Sequence, residues 1–422
     1  MKNAWHYLKT LVTDRTLRRR ILFVIGAMIV FRILAAIPIP GVDPSRITGL
    51  LANSQLAGIL NVFSGGGLSR LSIIMLGVAP YITASIILQL MTLMVPSLKS
   101  LYHEEGEIGR KKFYQYARIL TVPLAALQGI SFLILLSQQG VIIGMSTFGY
   151  IANVIIIVAG ALLLMWIGEL ISEFGIGNGI SLLIFAGIVA AIPGTVNQFA
   201  FTFDAASIPV YLAYFAITLI AIAGVVAVTE AERPVAVTYA KQSRGMSVGG
   251  VPTYLPLRLN QAGVMPIIFA LSILLFPQLI ANLLSSSTNA ILLSISNGLS
   301  WFVANQLLYG AVYFVLVFFF TYFYTAVTFD PEQMANNLQK SGAFISGVRP
   351  GQSTVSYVSD ILSRVTFIGA LFLATVAILP LILQYMTGSQ TLAIGGTSLL
   401  IAVSVSIDLI KKIEAELSLR EY

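Results

Sequence analysis

The chain has 422 residues, 57% of them hydrophobic and only 10% charged, with a mean hydropathy of +0.90. Soluble domains carry about 25% charged residues. No soluble core could hide this much apolar surface, so the bilayer is the solvent. The formal net charge is +7 and cysteine is absent, which excludes disulfides, a thiol nucleophile and a cysteine metal site.

The N-terminal segment, residues 1–20, holds Lys2, Lys9, Arg15 and the run Arg18, Arg19, Arg20 ahead of an apolar stretch. That order has the layout of a secretory leader. The run from Ile21 to Ile37 is long for one, however, and ends in PIPG without a small-residue cleavage site, so an uncleaved first span is expected. Further apolar runs predict spans near 73–94, 117–136, 150–171, 179–193, 209–229, 262–284, 306–328, 363–385 and 394–410, most near the 20 or so residues that cross a bilayer. Clusters of Gly, Pro, Ser and Asn punctuate them, as in GIGNG at 175–179 and SSSTN at 285–289. Residues 42–72 are too polar to cross, yet LAGILNVF at 56–63 is apolar, and Gly65, Gly66 and Gly67 break it. Two readings stay open there: a movable re-entrant helix, tolerated only inside protein or beside a water-filled cavity, or a plain amphipathic outer loop.

Threading ten spans with the N-terminus inside places every Lys and Arg except Arg32, Arg46 and Arg70 on the inner side. This is the positive-inside pattern, and it predicts that both ends are cytoplasmic. Two inner loops, 230–261 and 329–362, are long and basic. They read either as orientation charge with attraction to anionic lipid, or as docking surfaces for a soluble partner with an acidic surface, such as an ATPase or the RNA of a ribosome. Orientation needs only a few charges, so their length favours docking.

Within the spans almost nothing ionises. Arg32 lies near the outer end of span one and can snorkel; Glu169 and Asp408 lie near inner ends. Ion-coupled transporters usually need ionisable groups at mid-depth, and an intramembrane enzyme would need a dyad or metal ligands. The histidines, His6 and His103, are far apart beside charged segments. Polar groups of hydrogen-bonding strength do occur in the spans, namely Thr83, Ser85, Gln89, Gln128 and Asn260. They suit either ordinary bundle packing or a weak seam, at about 0.6–2 kcal/mol per contact.

Two phrases recur. GVAPYI at 77–82 returns as GVMPII at 263–268, and GISLLI at 179–184 returns as GTSLLI at 396–401. Both pairs are offset by five spans. A repeat of an odd number of spans is inverted in the membrane, and inverted repeats put a path at the interface of two halves. The repeats match Ile82 with Ile268 and Ile184 with Ile401. These residues serve either as helix packing or as an apolar constriction, which seals a pore by dewetting.

The stretches FVIGAMIVFRILAAIPIPGVD, NVFSGGGLSRLSI, LGVAPYITASIILQL, MWIGELISEFGIGNGISLLIFAGIVA, LPLRLNQAGVMPIIFA, NNLQKSGAFISGVRPG and GGTSLLI resemble the bacterial SecY family in order along nearly the whole chain. The resemblance implies an all-α polytopic membrane protein of ten helices in two inverted pseudo-symmetric halves, with a short re-entrant plug. The N-terminal half would be 21–196, the C-terminal half 197–410 and the cytoplasmic tail 411–422. It implies a pore ring of Val78, Ile82, Ile180, Ile184, Ile268 and Ile401, with Val78 where isoleucine is common. It implies a plug over about 56–68 (Leu56, Ile59, Leu60, Val62, Phe63 and the glycines Gly65, Gly66, Gly67) and a lateral gate at Thr83, Gln128, Phe276 and Ile280. Docking would fall to Arg233, Lys241, Arg244 and Arg349, with Pro234 departing from the family's basic pair. The implied activity is a gated, passive channel of the bacterial inner membrane, not an enzyme. It would need no cofactor or metal, and no DNA. The implied partners are small SecE and SecG subunits, the SecA ATPase, the ribosome, unfolded preproteins with signal sequences, and membrane lipids.

Overall fold

The computed structural model describes residues 14–42, 61, 64–142, 146–201, 208–239, 253–285, 287, 289–387 and 390–418. A helix stands at each of the ten expected spans: α1 (Arg15–Leu34), α2 (Ala79–Met94), α4 (Gly106–Gln138), α5 (Thr147–Phe174), α6 (Gly179–Phe201), α7 (Ile208–Glu230), α8 (Met265–Leu284), α10 (Gln306–Thr328), α12 (Gln352–Thr387) and α13 (Gln390–Ser418). Between them lie the shorter α3 (Pro96–His103), α9 (Ala290–Ala304) and α11 (Pro331–Lys340), and the strands β1 (Glu232–Tyr239), β2 (Thr253–Arg258) and β3 (Ala343–Ile345). The fold is thus predominantly helical and polytopic.

Local chemistry sets the helix ends. Asp14 caps α1, its carboxylate accepting from the Thr16 and Leu17 amides. Asn178 does the same ahead of α6, accepting from Ile180 and Ser181. Val95, preceding Pro96, is driven to an extended conformation (φ −114°, ψ 104°). The chain therefore turns by 112° between α2 and α3.

The chain forms two compact units that interleave in sequence. One comprises Met1–Ala216, Leu271–Tyr309 and Pro380–Tyr422; the other comprises Ile217–Ala270 and Gly310–Leu379. Their limits do not coincide with the expected division at 196 and 197. In the first unit α4 is the centre of the packing, against α2, α3 and α5, and α6 is sandwiched by α5 and α13. A Cβ on Gly179 would run into the Gly168 carbonyl, so small residues let α5 and the start of α6 meet at backbone distance. Leu17, Ile176 and Leu417 bring the start of α1 and the end of α13 together beside the α5–α6 turn, and Arg20 pairs there with Glu416.

In the second unit the two long basic loops are one structure. β1 pairs antiparallel with β2 from Glu232 opposite Arg258 to Val237 opposite Thr253, and with β3 from Val237 opposite Ile345 to Tyr239 opposite Ala343. Alternation along β1 buries Val235 and Val237. They join Leu257, Ala343, Ile345 and Val358 in a small core packed by Met334 and Leu338 of α11. Val358 belongs to α12, whose 36 residues span about 54 Å. That exceeds the roughly 30 Å hydrocarbon core, so its first turns serve this module and the rest crosses the membrane. Pro234 faces Pro256; neither has an amide hydrogen, and this rung needs none from them.

Candidate functional site

The repeated phrase GVxPxI folds alike in both places. Gly77 and Gly263 each take a left-handed conformation, φ 61° and 59°, which glycine adopts without strain. A helix starts two residues later in each case, with Pro80 and Pro266 in its first turn. The Ile82 amide donates to the Val78 carbonyl and the Ile268 amide to that of Val264. Val78 and Ile82 are buried at the start of α2, Ile184 in the second turn of α6 and Ile401 in α13. Ile268 is buried in the second unit. Ile180 is half-buried and packs beside Tyr81 and Met165 in a cluster between α2, α4 and α5. The second repeat is less alike: Gly179 opens α6, whereas Gly396 lies inside α13.

Leu56, Ile59, Leu60, Val62 and Phe63 of the expected plug lie outside the described residues. The glycines that follow are described, and they form a closed, bonded turn. Gly65 and Gly66 have φ of 63° and 82°. The Gly66 amide donates to the Asn61 carbonyl, the Ser69 amide to the Asn61 side chain and the Leu68 amide to the Ser64 hydroxyl. Gly65 fits between the ring of Phe31 on α1 and the Gly187 backbone on α6, where no Cβ has room. Arg32 does more than snorkel, because its guanidinium donates to the Gly65 carbonyl at 2.6 Å. The sequence showed the glycine run but not its anchor; an arginine at a span end is explained by lipid alone.

The gate candidates occupy three helices of the first unit. Thr83 on α2 and Gln128 on α4 are buried, and among the described residues neither the Thr83 hydroxyl nor the Gln128 amide oxygen has a hydrogen-bond partner. Phe276, half-buried, and Ile280, exposed, lie on α8. Two further residues tie α4 to α8. The Ser131 hydroxyl donates to the Leu279 carbonyl at 3.0 Å, and the Gln138 amide donates to the Ser285 hydroxyl at 2.7 Å. Phe132, Leu133 and Leu136 close the same contact against Leu275 and Leu279. Sequence reading missed Ser131, although it lies one turn beyond Gln128. A single serine in an apolar run leaves no pattern. Glu169 of α5 pairs with Arg118 of α4 at 2.7 Å.

Arg233 is exposed on β1, and Arg349 is exposed in the turn after β3, its carbonyl accepting from the Thr354 hydroxyl. Both therefore belong to the module that joins the two basic loops. Lys241 and Arg244 lie outside the described residues. Among the described residues no group of acidic or histidine side chains could hold a metal ion.

Known proteins match this arrangement along almost its whole length. The SecY family profile matches residues 72–410. The protein translocase subunit SecY of Mycobacterium bovis is 41% identical over 433 residues, covering 96% of each chain. That of Thermotoga maritima is 42% identical and covers 99% of this chain and 97% of its own; that of Pseudomonas aeruginosa is 42% identical and covers 96% and 91%. Among solved structures, a protein-conducting channel superposes with a TM-score of 0.66 at 18% identity, covering 96% of this chain and 94% of that one. Sec61 in the canine ribosome–channel complex of the endoplasmic reticulum superposes at 0.62, also at 18% identity, covering 96% and 94%. These last two establish the likeness of fold alone. With the family match spanning the pore-ring and gate candidates and the three strands β1, β2 and β3, the chain belongs to the SecY family.

Proposed function

We propose that this chain is the pore-forming subunit of a protein translocase, a gated passive channel that moves unfolded secretory polypeptides across the membrane and releases apolar segments sideways into lipid. The observation that carries this is family membership: bacterial relatives 41–42% identical over nearly the full length are named protein translocase subunit SecY. The residues suit the task. A path lined by Val78, Ile82, Ile180, Ile184, Ile268 and Ile401 makes no specific polar contact, so it fits a substrate defined by its backbone rather than its side chains. An aliphatic constriction holds back water and ions without any charge.

The segment about 56–68 acts as the plug, with the Gly65–Gly67 turn, held by Arg32, as its outer anchor. A related solved structure, 18% identical, is described as one in which the plug domain of SecY stabilises the closed state. The seam between α2 or α4 on one side and α8 on the other, with Thr83, Gln128, Phe276 and Ile280, acts as the lateral gate. The basic module with Arg233, Lys241, Arg244 and Arg349 docks the SecA motor or a translating ribosome; the Sec61 relative stands in a ribosome–channel complex. SecE clamps the halves 21–196 and 197–410, and SecG joins them. The distribution of Lys and Arg supports a multi-pass protein of the bacterial inner membrane with both ends cytoplasmic.

The natural lack of cysteine gives a clean test. A single Cys placed by Ile184→Cys crosslinks to a stalled secretory precursor carrying thiol-reactive probes, and the crosslinks follow whichever part of the precursor is stalled at the constriction. Normal export without any crosslink would move the path away from Ile184.

A further inference from the structure

The segment 285–305, between the spans predicted near 262–284 and 306–328, contains α9, an apolar helix of 15 residues. Its length is about 22 Å, short of the roughly 30 Å hydrocarbon core. It also follows α8 after a short turn and precedes α10 with only Asn305 between. A crossing here would reverse the sidedness of every later loop and move the basic residues of 329–362 outward. The helix therefore neither spans the membrane nor stands far from it.

Its residues divide into three stripes at 100° per residue. One faces the protein: Ser296 is buried and donates its hydroxyl to the Ala281 carbonyl of α8 at 2.8 Å, with Leu299 and Val303 half-buried on the same side. A second is apolar and uncovered, with Ile291 70% exposed and Ile295 46% exposed. The third is polar and exposed: Ser294, Asn297 and Ser300. Trp301, 63% exposed, lies on the third, between Ser294 and Asn297 around the helix axis. The whole segment 285–305 lacks a charged residue. Leu307, at the start of α10, is also exposed.

We propose that α9 is an in-plane membrane helix, with the Ile291–Ile295 stripe seated in the acyl chains of the outer leaflet and the Ser294, Asn297 and Ser300 stripe at the headgroups. Its partner is lipid. A soluble partner would not match a charge-free helix joined at both ends to membrane spans. The indole of Trp301 lies where an amphipathic ring is most stable, with its apolar body in the chains and its N–H among headgroups. Through Ser296 the helix holds the outer end of α8, so the lipid seat also steadies that span. The choice of the outer leaflet rests on the topology proposed above; the in-plane seat rests also on the helix's 15-residue length and its uncovered apolar stripe.

The sequence has three tryptophans, Trp5, Trp166 and Trp301. With Trp5→Phe and Trp166→Phe, the full chain reconstituted in phosphatidylcholine vesicles reports from Trp301 alone. Lipids brominated high on the acyl chain, at carbons 6 and 7, are expected to quench at least twofold more than those brominated at carbons 11 and 12, and acrylamide is expected to quench weakly. Quenching by acrylamide without a bromine effect would place α9 in water. Stronger quenching by the deeper bromines would place it across the core, and silence to both would mean that another protein surface covers it. Each of these overturns the proposal. Ile291→Glu with Ile295→Glu, both at exposed positions, should at least halve the bromine quenching; unchanged quenching would mean the stripe is not the seat. Side is read separately. Ser300→Cys should react with a membrane-impermeant maleimide from outside, and labelling from inside would overturn the topology and the leaflet while leaving the bromine result to decide the seat.

Discussion

At the residue scale, two kinds of side chain carry the argument. The aliphatic residues Ile82, Ile184, Ile268 and Ile401 were visible in the sequence because a repeated phrase fixes their depth. The structure buries all four. Removing bulk at a dewetted constriction admits water, since an apolar gap of sufficient width fills. Ile82→Gly with Ile184→Gly is expected to raise resting ion conductance in planar bilayers severalfold; unchanged conductance would assign these residues to packing. The polar residues were less legible. Arg32 was explained by position alone until its bond to the Gly65 carbonyl was seen. Thr83 and Gln128 suited bundle packing or a weak seam equally well, and among the described residues each keeps a buried polar atom without a partner. Such an atom costs about 1–3 kcal/mol, a cost that a site receiving a passing backbone can offset.

At the element scale, the ten spans were legible because bilayer thickness dictates the length and uniform apolarity of each. What escaped was everything set by pairing. Strands β1, β2 and β3 come from loops separated by residues 262–328, and β3 is only three residues long. No window of sequence could show that they form one sheet. Helix α9 escaped because its serines and asparagines resemble a turn-rich linker; its amphipathicity has three faces, which flattens any simple two-sided pattern. The α4–α8 contact also escaped, since Ser131 meets a carbonyl 148 residues away. Interhelical hydrogen bonds in membranes are worth about 0.6–1.7 kcal/mol. Ser131→Ala should therefore raise the frequency of channel opening about three- to twentyfold, measured as single-channel events. No change would mean that the apolar contact of Phe132, Leu133 and Leu136 with Leu275 and Leu279 closes this seam alone.

At the scale of the whole molecule, the two basic loops act as one body, because β1 is hydrogen-bonded to both β2 and β3 around a shared core. A charge on that body can be changed without touching the membrane part. Arg349→Glu should reduce motor-driven export tenfold or more while leaving membrane insertion and topology intact; lost insertion would show that the arginine serves orientation. Fold class and the positions of the membrane helices were determined by the sequence by itself, because solvent partition acts on each segment independently: a segment is apolar enough for lipid or it is not. The inverted repeat was legible for the same reason, and its first phrase, GVxPxI, keeps one backbone form at Gly77 and Gly263. Only the tertiary structure decided that the glycine turn is anchored by Arg32, that the two long basic loops form one sheet, and that α4 is bonded to α8. Each of these depends on a hydrogen bond or packing contact between residues distant in sequence, and such contacts are specified by geometry rather than by the polarity of any one segment.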